Sequence, residues 1–165
     1  MRVILIFLLY FLHLPVSADN IKIGFIDTQQ VIVNLSKYKN GVERIALEFE
    51  PKKRELLDLF NHIELLRENI DLNPQTDSSD SLEIKLSKLA DLEESFEQET
   101  EFWQNAINNE KVYLLKNIET LINESIRAFA IEEDYDFILY DNVAFVSDQA
   151  NITQLIIEKI EKYSP

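Results

Sequence analysis

Residues 42–72, VERIALEFEPKKRELLDLFNHIELLRENIDL, decide the fold of this chain. Apolar side chains recur in this stretch every three or four residues, with one gap of seven in which Lys52 occupies the expected apolar position. This spacing places them in one stripe along a helix, as in the seam of a coiled coil. The stripe consists of Val42, Ile45, Phe49, Leu56, Leu59, Ile63, Leu66 and Ile70. Pro51 predicts a kink rather than an end of the helix, because the stripe keeps its register on both sides.

A second apolar stripe runs through residues 92–129 with a spacing of eleven residues. Eleven residues span almost three helical turns, so these side chains also share one face of a long helix. The second stripe consists of Leu92, Phe96, Trp103, Ile107, Leu114, Ile118 and Phe129. Between the two stripes, residues 71–80 contain Pro74 and have no apolar periodicity, which predicts the end of a helix. The sequence therefore predicts a hairpin of two long helices over residues 42–129, with its tip near residues 71–81.

The segments that flank this hairpin predict short strands. Residues 21–27 alternate between apolar and polar side chains, which is typical of a strand, and a short helix follows them. Residues 135–140 and 143–146 are rich in β-formers and lie on either side of Asp141–Asn142, a dipeptide that fits a tight turn. We therefore predict that these two blocks form a β-hairpin. A closing helix follows, with Ile152, Leu155, Ile156 and Ile160 on one face.

The sequence thus predicts an α+β fold in which a small β-rich body, formed by residues 19–41 and 130–165, carries a long protruding helical hairpin. The hairpin takes about 88 residues and leaves roughly 55 for the body, a size at which a hydrophobic core is marginal by itself. We therefore expect the body to oligomerise. The strand residues expected to pack in its core or between subunits are Ile23, Phe25, Phe137, Leu139 and Phe145.

Residues 1–18 have the features of a secretory signal peptide. Arg2 provides a positive start, residues 3–14 are almost entirely apolar, and Ser17 and Ala18 are small residues suited to signal peptidase. The apolar run is too short to span a bilayer comfortably. We therefore expect export across the inner membrane and a mature chain that begins at Asp19.

The composition excludes several classes of function. The chain has no cysteine, so thiolate catalysis and thiolate metal sites are excluded, and its two glycines are too few for a glycine-rich phosphate loop. Its net charge of −14 argues against nucleic acid and anionic membrane surfaces as main partners. His62, the one histidine after the signal peptide, has no second histidine or cysteine with which to complete a catalytic site. We predict neither an enzyme nor a bound cofactor or metal.

We call the two long helices of the hairpin its arms. Three aromatic residues on the arms are the candidates for binding a partner. Trp103 belongs to the eleven-residue stripe, so packing between the arms is its simplest role, whereas Phe102 lies off that stripe. Phe60 stands beside the seam residue Leu59 and is likewise a candidate for exposure. Exposed aromatic side chains would give adaptable contacts to an unfolded polypeptide.

Four stretches follow the signal peptide in a fixed order: IGFIDTQQV (residues 23–31), FEPKKREL (residues 49–56), YDFILY (residues 135–140) and VAFV (residues 143–146). In these stretches and their order the chain resembles the Skp (OmpH) family of periplasmic chaperones. The resemblance implies a homotrimer in the periplasm, with a central β-body and three helical hairpins around a cavity. It also implies that the cavity holds unfolded outer-membrane proteins, prevents their aggregation and releases them without ATP.

One feature of the sequence departs from the family. Well-known members have basic arms, whereas residues 42–129 carry 10 basic and 20 acidic side chains here. This charge argues against binding of lipopolysaccharide and against capture of acidic clients by long-range attraction. The alternative is an exported coiled-coil protein that scaffolds components of the cell envelope and binds one folded partner.

Overall fold

The structure, a computed structural model, describes residues 21–72, 79–140 and 142–163. Its elements in chain order are β1 (Ile23–Ile26), α1 (Thr28–Asn34), α2 (Ser36–Leu72), α3 (Ser79–Glu132), β2 (Phe137–Tyr140) and α4 (Thr153–Tyr163). The mostly helical chain with one small sheet confirms the α+β fold class. The expected signal peptide lies outside the described residues, as does the centre of the predicted tip, residues 73–78.

The helices α2 and α3 form the predicted hairpin. They contain 37 and 54 residues, which corresponds to lengths of about 55 and 80 Å. The two stripes face each other, with Ile45, Leu56 and Ile63 of α2 almost fully buried and most other members half-buried. Val42 is the exception, because it is exposed at the edge of the contact. The helix α2 continues through Pro51, as the register of its stripe predicts.

The core of the body is formed mainly by helices. The last turns of α3 extend into the body, where Ile118, Ile122, Ile126 and Phe129 pack against isoleucines of α4. The residues of the core outside α3 are Ile26, Val31, Leu35, Ile152, Ile156, Ile157 and Ile160. The prediction for the closing helix is wrong at one position: Leu155 is exposed, and Ile157 takes its place in the core.

The sheet has two parallel strands, and the predicted β-hairpin is wrong. β2 pairs with β1, from Ile23 opposite Phe137 to Ile26 opposite Tyr140. Residues 143–146 form no strand. The chain instead continues to the other edge of β1, where Phe25 N donates to Ala150 O at 2.7 Å and Ile152 N donates to Phe25 O at 2.9 Å. The predicted pairing of residues 143–146 with β2 is absent because the chain after β2 crosses to the far edge of β1 instead of turning back along β2.

The strand residues predicted as core are not buried in the single chain. Phe137 is 58% exposed and Phe145 is 83% exposed, Ile23 and Leu139 are also exposed, and Phe25 is half-buried. The helices cover the opposite face of the sheet, where Gly24 and Ile26 are buried. As a core within one subunit the prediction is therefore wrong, and as a contact between subunits it remains a prediction.

Candidate binding surface on the helical arms

Lys52, which interrupts the apolar stripe of α2, joins the two arms. Its Nζ donates to Glu99 Oε2 of α3 at 2.7 Å and to Glu55 Oε2 at 3.0 Å. The hydrogen bond and the charge of Lys52 lower the pKa of the Glu99 carboxyl below its ordinary value, and Ser95 Oγ adds a weaker contribution in the same direction. The hydrogen bonds to Glu99 and Glu55 in turn raise the pKa of Lys52. The charged residue in the seam is therefore satisfied by a partner on the facing helix.

Two further ion pairs cross between the arms. Arg67 donates to Glu93 towards the tip, and Arg44 Nη2 lies 3.5 Å from Glu110 Oε2 towards the body. All of these side chains are partly exposed, so each pair contributes little by itself. Together with the pair of Lys52, they form three ion pairs at different distances from the body. Because all three fit only one alignment of the helices, they favour one register of α2 against α3. Part of the acidic character of the arms thus serves the hairpin itself.

We expect the ion pair of Glu99 to make stability depend on pH in a specific way. The lowered pKa means that Glu99 stabilises the fold above its ordinary pKa of 4.5, and that this contribution disappears as the pH falls through the lower folded value. Acidification also reduces the repulsion between carboxylates in a chain of net charge −14, which by itself raises stability. Wild type and single Glu→Gln variants share this effect almost equally. The free energy of unfolding of wild type should therefore exceed that of Glu99→Gln at neutral pH, and the difference should shrink under acid.

Glu97→Gln is the matched control, because Glu97 is an exposed carboxylate on the same helix that forms no ion pair within the described residues. Chemical denaturation of the three proteins between about pH 7 and about pH 3 measures the effect. If Glu99→Gln and Glu97→Gln showed the same pH dependence, the ion pair would have no role in stability.

The arms carry many apolar side chains that the seam does not bury. These exposed residues are Leu47, Leu57, Phe60, Leu65, Leu72, Ile84, Leu86, Phe102, Val112, Tyr113 and Leu115. Single exposed apolar residues are common on protein surfaces, but a concentration of them often marks a surface that binds another molecule. The arms therefore offer distributed apolar contact area along most of their length.

The three predicted contact residues lie in different environments in the structure. Phe102 is 75% exposed and points away from the seam. Trp103 is half-buried, and its indole Nε1 donates to Phe49 O across the seam at 3.3 Å. Phe60 is 44% exposed, with its ring centroid 5.9 Å from that of Phe96. Phe60 and Trp103 line one cavity together, and Phe102 does not.

Two cavities open side by side between the arms. The body-side cavity has a volume of about 280 Å³ and is lined by Val42, Ile45, Phe49, Trp103, Ile107 and Lys111. The tip-side cavity has a volume of about 230 Å³ and is lined by Leu56, Leu57, Phe60, Phe96, Thr100 and Trp103. Lys53 and Trp103 border both, and we call these two adjacent cavities together the Trp103 groove. Sequence reasoning missed Leu57, Lys53 and Lys111, since only the pairing of two distant helix segments brings them to one groove.

A family model of outer membrane proteins (OmpH-like) matches residues 22–160, which covers the arms and nearly the whole body. The chain belongs to the OmpH-like family. The resemblance found in the sequence is thereby confirmed, and the OmpH-like (Skp) family is one of chaperones. None of the curated proteins compared with the chain matches it.

The fold agrees with this membership. A crystal structure from Caulobacter crescentus CB15, described as a candidate outer membrane chaperone (OmpH-like), superposes with a TM-score of 0.75. The superposition covers 87% of this chain and 85% of the other at 12% sequence identity. At that identity the likeness concerns the fold, so the OmpH-like architecture persists although most side chains differ. Among the described residues, no helix is both long and apolar enough to cross a membrane.

Proposed function

We propose that this OmpH-like chain is an ATP-independent holdase of the periplasm that binds unfolded outer-membrane proteins, its clients, and prevents their aggregation. The observation that carries the proposal is the large number of exposed apolar side chains distributed along both arms. A holdase needs only reversible contact with apolar segments that an unfolded client exposes, and these arms provide such contact without any further chemistry. Membership of a chaperone family points in the same direction.

The exposed face of the sheet supports a homotrimer as the working form. On this face a single chain leaves the large apolar residues Ile23, Phe137 and Leu139 in water, and Phe145, in the segment after β2, is exposed as well. Packing this face against other subunits would enlarge a core that is small for one chain, and it would place several arms around a shared space. The second edge of β2 is free within the described residues, because β2 pairs only with β1. It gives the contact a strand edge as well as an apolar face.

The negative charge of the arms limits the forces by which clients can be bound. Residues 42–129 carry 20 acidic against 10 basic side chains, so long-range attraction cannot gather acidic clients, and lipopolysaccharide would be repelled. Binding therefore rests on short-range apolar contact. We expect added salt to weaken client binding much less than it weakens capture by long-range charge attraction, which salt screens.

The proposal is tested with residues 19–165 and a urea-denatured outer-membrane β-barrel protein. Size exclusion with in-line light scattering should give the mass of three protomers, and a complex heavier by one client. On dilution from urea, the client should stay soluble with the chain and aggregate without it. A trimer that leaves the client to aggregate would reject the holdase and favour the scaffold that binds one folded partner.

A further inference from the structure

We propose that the Trp103 groove is a binding site for an extended client segment that has apolar side chains on one face and a carboxylate near one end. The inference rests on the proposed holdase function. It assigns part of the binding to one site on the hairpin of each subunit. Its occupant is a strand-like stretch of unfolded polypeptide, and its walls are contributed by both helices of the hairpin.

The dimensions of the groove fit such a segment. The groove extends from Val42 to Phe60 of α2, which is about 27 Å along a helix. An extended polypeptide covers this distance in about eight residues. The centres of the two cavities are about nine helical residues apart, or about 13 Å. That distance matches side chains at positions i and i+4 of a strand, which lie on the same face.

The chemistry of the walls selects the same class of segment. The tip-side cavity exposes an apolar surface and has the rings of Phe60, Phe96 and Trp103 around it, a lining that suits aromatic or branched apolar side chains. Strands of outer-membrane barrels alternate apolar and polar residues, so every second side chain of such a strand would enter the groove. Thr100 lines this cavity as well, and its Oγ1 is buried without a hydrogen-bond partner among the described residues.

The charge at the rim differs from that of the rest of the arms. Lys53 and Lys111 border the body-side cavity, against the single carboxylate of Glu50. Lys53 Nζ lies 3.7 Å from Glu50 Oε2, whereas Lys111 forms no ion pair in the part of the chain that the structure describes. On arms with twice as many acidic as basic side chains, this rim is a place where an anionic group is attracted. A carboxylate next to the apolar residues of the client would therefore face Lys111.

Trp103 provides a direct measurement, because it is the only tryptophan of the chain and borders both cavities. The probe is a tryptophan-free peptide of about nine residues with phenylalanine at alternate positions and glutamate at one end. Titration into residues 19–165 should change the emission of Trp103 and saturate. A peptide of the same composition with its phenylalanines adjacent should bind about tenfold more weakly.

Two pairs of matched variants locate the site. Leu57 and Leu65 are exposed leucines of α2 with similar exposure, 57% and 66%, and only Leu57 lines the groove. Lys111 and Lys116 are exposed lysines of α3, and only Lys111 lines it. Leu57→Ser and Lys111→Glu should each weaken peptide binding about tenfold, with less than about twofold change for Leu65→Ser and Lys116→Glu. Circular dichroism confirms that all four variants are folded.

Equal affinity in the members of either pair, or saturable binding without a change in Trp103 emission, would overturn the assignment of the groove. The same variants are then tested for suppression of aggregation of the full-length client. If wild type fails to suppress aggregation, the proposed function is wrong, whereas suppression by Leu57→Ser at the wild-type level rejects only the groove. The two proposals can therefore fail separately.

Discussion

Ile118→Ala is expected to lower the free energy of unfolding by about 2 to 5 kcal/mol. Ile118 is fully buried and lies where α3 leaves the arm and enters the core of the body. Removing three methyl or methylene groups there forfeits apolar burial and leaves a cavity that the surrounding isoleucines fill only in part. Because the body core is small, one such cavity is a large fraction of its stability.

The matched control is Ile84→Ala, which makes the same change on the same helix at a residue that is exposed. Its effect should stay within about 0.5 kcal/mol. Urea denaturation followed by circular dichroism at one fixed protein concentration measures both variants, since oligomerisation would make the midpoint depend on concentration. Equal and small losses in the two variants would mean that Ile118 is not part of a cooperative core.

The helical arms could be predicted from sequence because their signal is local. A stripe such as Ile45, Leu56 and Ile63 is visible within a few turns, and its period alone indicates which face is buried. Even Lys52 could be placed in the seam, although the sequence does not show that Glu99 of α3 is its partner. The partner depends on the register between two helices, and that register is a property of the folded hairpin.

The sheet could not be predicted in the same way. β1 and β2 are separated by the whole hairpin, and nothing near Phe137 indicates that its partner is Ile23 rather than a following strand. Asn142 does adopt a positive φ of 52°, a backbone conformation that is common in the kind of tight turn that suggested a β-hairpin. In the folded chain residues 150–152 are bound to β1 through Phe25, and residues 143–146 form no strand.

The candidate binding site, like the fold, could be predicted from the sequence only in part. Phe60 and Trp103 could be singled out because aromatic side chains are informative one at a time. The groove that joins them could not, because Leu57 and Lys111 become neighbours of Trp103 only when the two helices pair. Phe102, although adjacent in sequence to Trp103, points away from the seam, since consecutive residues of a helix face different directions.

Gly24→Val is expected to destabilise the body by about 1 to 3 kcal/mol, despite the preference of strands for valine. Gly24 lies in β1 on the face covered by helices, and a Cβ atom there would be 2.7 Å from Ile152 Cδ1 and 3.1 Å from Tyr135 Cε1. Ile152 is itself buried, so its side chain cannot move aside without disturbing the core. Urea denaturation measures the loss.

The identity of the obstructing atoms is tested by a double-mutant cycle with Gly24→Ala and Ile152→Val. Ile152→Val removes the Cδ1 atom that the new Cβ would meet first. Gly24→Ala should therefore cost less stability in the Ile152→Val background than in wild type, with a coupling of about 0.5 kcal/mol or more. Strict additivity, or a Gly24→Val variant as stable as wild type, would contradict the close contact between β1 and the segment leading into α4.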